Sequence, residues 1–395
     1  MKDRLAFMNR IEYALKHNKA LLWLYRVAMS TLFRFMGLFV RTDDDLVLIS
    51  SFGGKRFDDS PKAIFEQMLE RSDCEKFRFA WAFVEPEKFN LPRTRCVKMN
   101  SLAYFVCSLK ARYWITNVNI ERGLRFKKPE TIYVNTWHGT PLKTIGNAVD
   151  GRFDYDFSHV DLITSDGDYF SQIMMRDFNA NPASILKCGR PREDELYRLA
   201  KDGNREKICS KLGIPPTARV VLYAPTWRES ADGGLSYGIK PPVSIGKWRE
   251  MLGADSVILF RAHSITTKVT GFEFGNRVLD CSEYPCVNEL LFIADVLVTD
   301  YSGILFDYAG LEKPIICFAY DFEEYRASRG IYFDIREHLT TFFNEDDLLS
   351  HLVSMDDVEE SAKSKAFFEA FAGCGGNATD ACIDRMLDIR RLRSS

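Results

Sequence analysis

His138 lies in T-W-H-G-T-P-L-K, residues 136–143, directly after an apolar run that reads as a buried strand. An imidazole ordinarily titrates near about 6.5 and can take a proton from an alcohol. Flanked by Gly139, with Pro141 close behind, this histidine is poorly placed for core packing; the plainer alternative is that it hydrogen-bonds to hold its loop. A second block, T-D-Y-S-G-I-L-F-D-Y-A (299–309), also follows an apolar run. Thr299 and Ser302 supply hydroxyls, Gly303 allows close approach of backbone to a ligand, and a helix starting there would aim N–H groups at a diphosphate. A simple N-cap serine is the alternative. Asp307 belongs to the same donor-side set, and the block has no D-x-D to suggest a metal. A base in one block and a phosphate cradle in the other suggest an enzyme that moves a group from a phosphorylated donor to an acceptor.

Further cations sit at strand ends. Arg261 and His263 alternate in R-A-H and so project to one side, where they can steady a charged phosphoryl group. Arg228, after A-P-T-W, and Lys143, after the His138 loop, are phosphate contacts or solvated surface groups. S-F-G-G-K (51–55) lacks the spacing of a nucleotide P-loop, but its Gly53 and Gly54 precede a helix, which leaves an acceptor-side role open. Gly139, Thr140 and Lys143 join them on that side.

These residues need elements to position them. From Leu46 the pattern is α/β: apolar runs at 46–50, 77–84, 113–117, 131–137, 162–165 and 184–188 read as strands. Helices are expected from Ser60 to Glu70, with Ser60 as N-cap and Pro61 at the first position, and over 102–111. A polar connector, Gly189 to Pro216, contains one charged helix over 193–212. A second series has strands at 220–223, 257–260, 277–279, 296–299 and 315–319, helices at 287–293 and 302–309, and a last helix near 379–391. Strands separated by helices imply parallel sheets covered on both faces, with ligands beyond the strands' carboxyl ends. The expected architecture is two doubly wound, Rossmann-type domains facing across a cleft. The boundaries read as 1–42 for an amphipathic segment, 43–195 for an acceptor-side domain and 196–395 for a donor-binding domain, with the last helix packing back on the first domain.

The 395 residues suit about two domains. A net charge of −2 gives no reason to expect nucleic acid as a partner. The ten cysteines are scattered without a C-x-x-C pair, which points to reduced thiols, a cytoplasmic setting and no metal site. The segment Ala20–Val40 is strongly apolar but carries Arg26 and Arg34, which a spanning helix would bury, and no cleavage site follows it. At about 100° per residue, Lys16, Lys19, Arg26, Arg34 and Arg41 share an arc of roughly 80°, with Leu21, Leu24, Ala28, Leu32, Phe35 and Phe39 on the other side. That is the pattern of a helix lying in a membrane surface. A core-packing helix with snorkelling cations is the alternative.

Several stretches together resemble the CDP-glycerol glycerophosphotransferases, which build teichoic acids and related polyol-phosphate polymers. They are S-F-G-G-K…D-S-P-K-A-I (51–64), N-T-W-H-G-T-P-L-K (135–143), C-G-R-P-R-E-D (188–194), Y-A-P-T-W-R (223–228), R-A-H-S (261–264), V-T-D-Y-S-G-I-L-F-D-Y-A (298–309) and K-P-I-I-C-F to Y-F-D (313–334). The resemblance implies a GT-B-like fold, His138 as the base toward an acceptor hydroxyl, and His263 on the transferring or leaving phosphate. It also implies Thr299 and Ser302 on the donor pyrophosphate. The substrates would be CDP-glycerol, or a related CDP-polyol, and a lipid-linked saccharide or growing chain. The enzyme would need no cofactor and would sit on the inner face of the cell membrane. The chain departs from the family pattern at Ser264, Gly303, Ser60 and Glu193. A glycosyltransferase using a nucleotide sugar and a non-catalytic, membrane-associated polymer-binding protein are the other readings.

Overall fold

The computed structural model describes residues 18–226, 228, 238–239, 242–262, 268–269, 274–275 and 277–394. The chain groups into two compact units. One comprises 1–138, 160–163 and 379–395; the other comprises 139–159 and 164–378. This grouping differs from the boundary read at 195/196.

In the first unit, helix α1 (Lys19–Phe39) precedes β1 (Asp43–Ser50), α2 (Asp59–Glu70), β2 (Arg78–Phe83), β3 (Thr94–Lys98), α3 (Leu102–Lys110), β4 (Ala111–Thr116), β5 (Ile132–Asn135) and the start of β6 (Leu162–Ser165). The strands pair in parallel in the order β3-β2-β1-β4-β5-β6, with Ile49 opposite both Trp81 and Ile115. All of β4 and β5 is buried, as expected of apolar strands covered on both faces. Edge strand β3 was not read from the sequence, since only Val97 of T-R-C-V-K is buried. Helix α2 is capped by Asp58, whose carboxylate accepts from the Asp59 amide at 2.8 Å, in place of the expected Ser60. The C-terminal helix (Ala378–Ser394) is tied to α2 and β1. Asp380 and Asp384 accept from Arg71 at 3.0 and 2.6 Å, and Arg390 lies 3.5 Å from Asp45.

Helix α1 docks through Ser30, Phe33 and Gly37. Ser30 Oγ accepts from the Arg125 amide at 3.0 Å, and Phe33 stacks on Phe105 with ring centroids 4.3 Å apart. The faces fall unlike those of a core-packing helix. Leu21, Leu24, Leu32, Phe35 and Phe39 are all exposed, together with Trp23 and Leu38. No helix among the described residues is long and apolar enough to cross a membrane.

The second unit contains α4 (Asp168–Phe178), β7 (Ile185–Lys187), α5 (Asp194–Asp202), α6 (Arg205–Lys211), β8 (Arg219–Ala224), α7 (Ile245–Met251), β9 (Ser256–Phe260), β10 (Val278–Asp280), α8 (Val287–Ile293), β11 (Val296–Thr299), α9 (Ile304–Ala309), β12 (Ile315–Phe318), α10 (Phe322–Arg329), β13 (Thr341–Phe342), α11 (Glu345–Ser354) and α12 (Asp357–Phe371). Its main sheet is parallel in the order β10-β9-β8-β11-β12-β13. The single helix expected over 193–212 is two, because Gly203 ends the first and the Asn204 side chain caps the second. Leu222, Leu259, Leu297 and Cys317, one from each central strand, lie in one core with Leu290, Leu305 and Phe306. Val221, Ile258, Val298 and Ile316 fill the opposite face with Trp248 and Leu349.

Candidate active site

In the first unit, three loops at the carboxyl ends of β1, β4 and β5 meet at Asn117. This residue is fully buried just past β4. Its side-chain Oδ1 accepts from the Phe52 amide at 2.8 Å, and its backbone oxygen lies 2.9 Å from His138 Nδ1. A carbonyl can only accept, so Nδ1 carries the hydrogen and the neutral ring places its lone pair on Nε2. The His138 side chain is exposed. Its ring lies 4.3 Å from that of Trp137 and 6.1 Å from that of Phe52. An exposed histidine whose Nδ1 is held by a backbone carbonyl has the tautomer that a general base needs.

The loops are shaped by left-handed backbone. Phe52, Gly53 and Gly54 have φ of 47°, 64° and 85°, and Trp137 has φ of 51°. Gly54 has no room for a side chain: a Cβ there would come 2.9 Å from Met99 Cε and 3.1 Å from the Ala82 oxygen. Strained conformations at non-glycine residues persist where the surroundings over-determine them, and they cluster at functional sites. Gly53, Gly54 and His138, chosen from sequence, therefore share one neighbourhood. Asn117, which joins them, was missed, because its only local signal is a position at a strand end.

In the second unit, the loop following His138 packs on the second block. A Cβ on Gly303 would approach the Thr140 carbonyl oxygen to 3.2 Å, and one on Gly139 would lie 3.6 Å from Arg192 Nη2. Thr140 is buried; its hydroxyl donates to Asp166 and accepts from Arg190. Arg190, 1% exposed along its side chain, also donates to Asp166 Oδ2 through Nε and Nη2 at 3.1 and 3.0 Å, and lies over the Phe170 ring. Both oxygens of Asp307 accept from Arg192 Nη2, at 2.7 and 2.8 Å. Between them, buried Glu193 has its carboxyl pushed well above the usual range by desolvation and by Asp307, against the opposing pull of Arg190 and Arg192. The C-G-R-P-R-E-D stretch thus fastens Gly139–Thr140 to α9, a role that its sequence did not disclose.

The donor-side residues fall around Asp300. The Thr299 side chain is fully buried and its hydroxyl donates to the Ala224 oxygen at 2.6 Å, so it braces β11 against β8 instead of facing a ligand. Asp300 Oδ1 accepts from the Thr226 and Tyr301 amides at 2.8 and 2.7 Å, while Oδ2 accepts from Arg228 at 2.9 Å. Arg228 also donates to both Asp321 oxygens, at 2.6 and 3.0 Å, and lies within 5.4 Å of the ring centres of Tyr301, Tyr320 and Tyr325. The carboxylates raise its already high pKa, outweighing a desolvation that lowers it. Asp321 was not foreseen. Ser302 precedes α9, which starts at Ile304, later than the expected 302; its Oγ is 3.4 Å from the Ile304 amide. Arg261 Nη1 donates to the Cys281 and Tyr284 carbonyls at 2.8 and 2.9 Å. Lys143, in a bridge with Ile331, has its pKa lowered by burial and by Arg329, with Asp300 opposing. His263 and Ser264 lie outside the described residues.

Comparison with known proteins bears on the family and the fold. The chain is 32% identical over 351 residues to a teichoic acid poly(glycerol phosphate) polymerase of Staphylococcus epidermidis; the match covers 82% of the chain and 48% of that protein. The chain therefore spans about half the length of that relative. It is 33% identical over 318 residues to a teichoic acid glycerol-phosphate transferase of Staphylococcus aureus, covering 75% of the chain and 79% of that protein. A solved structure of the wall teichoic acid polymerase TagF superposes with a TM-score of 0.81 at 29% identity, covering 98% of each chain. The α/β architecture with two parallel sheets is that GT-B-like fold. The profile of CDP-glycerol:poly(glycerophosphate) glycerophosphotransferases matches residues 32–375, and the chain belongs to this family.

Proposed function

We propose that the protein transfers glycerol phosphate from CDP-glycerol to a hydroxyl of a lipid-linked saccharide or growing polymer, releasing CMP, in the synthesis of teichoic acid or a related surface polymer. The observation that carries this reading is the exposed His138 ring with Nδ1 held by the Asn117 carbonyl. Nε2 takes the proton of the acceptor hydroxyl as its oxygen attacks the glycerol-bearing phosphorus. The bond from that phosphorus to the bridging oxygen breaks, and CMP leaves with the electron pair. His263 and the cations of the second unit offset the charge on the leaving phosphate. Ser302 and Gly303 remain the donor-side contacts in this reading, whereas Thr299, Arg228 and Asp307 act by holding the loops that carry them.

The exposed apolar face of α1 supports a peripheral position on the inner face of the cell membrane, where such an acceptor is found. The family relationship favours a CDP-polyol over a nucleotide sugar. Incubation with CDP-glycerol, CDP-ribitol or a nucleotide sugar and lipid-linked acceptors, with mass analysis of products, tests the reading. Release of CMP with glycerol phosphate added to the acceptor is expected. Release of a nucleoside diphosphate, or binding without turnover on every acceptor, would overturn it.

A further inference from the structure

Arg122 stands beside the His138 neighbourhood without a role in the reaction as described. It is exposed and in the left-handed region, with φ of 56°. Three contacts set its position: its amide donates to Asn119 Oδ1 at 2.9 Å, its Nε donates to Asn100 Oδ1 at 3.1 Å, and its Nη1 lies 3.2 Å from where a Cβ on Gly53 would be. Asn100 is itself left-handed, with φ of 61°. Among the described residues no carboxylate pairs with this guanidinium. Yet arginines across both units are repeatedly matched to aspartates, as at Arg71, Arg78, Arg205 and Arg228. An exposed arginine left over from packing would be expected to swing freely. Here Asn119 holds the backbone and Asn100 holds the guanidinium over a glycine turn, and the preceding residue of that turn, Phe52, has its ring 6.1 Å from that of His138. A guanidinium presented as a fork is suited to the two non-bridging oxygens of a phosphodiester.

We infer that Arg122 reads a phosphodiester of the acceptor, one glycerol unit back from the hydroxyl that faces His138. This rests on the glycerophosphotransferase reading and makes it more specific. A Cβ at Gly53 would press on the guanidinium, 3.2 Å from Nη1, so a side chain there would shift it by a few tenths of an ångström.

The test compares wild type, R122A and R122K on two lipid-linked acceptors, one ending in glycerol phosphate and one ending in saccharide without phosphate. A glycerol phosphate oligomer without lipid is titrated into each protein separately. For R122A, KM for the phosphate-bearing acceptor should rise about tenfold or more, as for loss of a charge-assisted contact, while the phosphate-free acceptor changes by less than about twofold. R122K should fall between, and oligomer binding should weaken in the same order. Equal losses on both acceptors would show that Arg122 merely shapes its loop, and no loss on either would remove it from the site; both overturn the inference. If wild type turns over neither acceptor but still binds the oligomer through Arg122, the inference stands and the glycerophosphotransferase reading falls. If wild type turns over and R122A does not discriminate, the reverse holds.

Discussion

The Nδ1 atom of His138 lies 2.9 Å from the backbone oxygen of Asn117, a partner that cannot donate and that no side-chain substitution removes. The tautomer is thereby set by the end of β4. Replacing His138 with alanine should lower kcat by about 10²–10⁴-fold, the usual contribution of a positioned acid–base group, with little change in affinity for CDP-glycerol. Steady-state kinetics with a direct binding measurement on the donor checks both halves.

Asn117→Ala makes a different prediction, because the backbone oxygen stays. What is lost is the Oδ1 that accepts from the Phe52 amide. A buried amide left without its acceptor costs about 1–3 kcal/mol. Denaturant unfolding should show that loss, and kcat should fall less than in His138→Ala because the imidazole keeps its tautomer.

The Asp300–Arg228–Asp321 cluster holds the segment after β8 in place. Asp300→Ala removes the acceptor of two amides and one guanidinium at a side chain only 3% exposed, and should cost about 4 kcal/mol. Asp321→Ala should cost about 2 kcal/mol, below the range for a fully buried pair, since Arg228 is 22% exposed along its side chain and keeps Asp300. Chemical denaturation of the two variants orders them; a larger loss in Asp321→Ala would contradict the assignment.

Glu193 gives a pH dependence. Its folded pKa lies well above the ordinary carboxyl value because of burial and the nearby Asp307. The native state therefore binds this proton more tightly than the unfolded chain. The resulting stability is full below the unfolded value and is lost as pH rises through the folded one. Glu193→Gln keeps the shape without the ionisation. Thermal unfolding should place the variant near wild type at pH 5 and progressively above it toward pH 8.5.

How much of this was legible depends on how locally each feature is encoded. Strands 162–165 and 296–299 and helix 287–293 coincide with short apolar runs and appear where they were expected. Strand β3 and helices α10, α11 and α12 were not read: β3 buries a single side chain, and α12 lacks a clean apolar stripe, so neither gives a strong period. His138, Gly53 and Gly54 announced themselves by residue type at a strand end. Asn117 and Asp321 did not, because what makes them important is a bond to Phe52 across 65 positions and to Arg228 across 93. Thr299 misled for the converse reason: a hydroxyl at a strand end looks the same in sequence whether it faces a ligand or a neighbouring carbonyl.

Helix α1 offers a direct test of membrane association. Its docked side uses Phe33, 4% exposed, whereas Trp23, Phe35, Leu38 and Phe39 are 62%, 58%, 79% and 75% exposed. Because Phe35 and Leu38 make no contribution to the buried core, replacing both with aspartate should leave the unfolding transition unchanged. The same change removes apolar area from any membrane contact and adds charge that anionic lipid repels. Co-sedimentation with vesicles containing phosphatidylglycerol should therefore fall several-fold for Phe35→Asp/Leu38→Asp, with turnover of a soluble acceptor analogue retained. Phe33→Asp, by contrast, should destabilise the first unit, since it places a charge against Phe105 and Phe126. Unchanged vesicle binding by the double variant would assign the apolar face to some other contact.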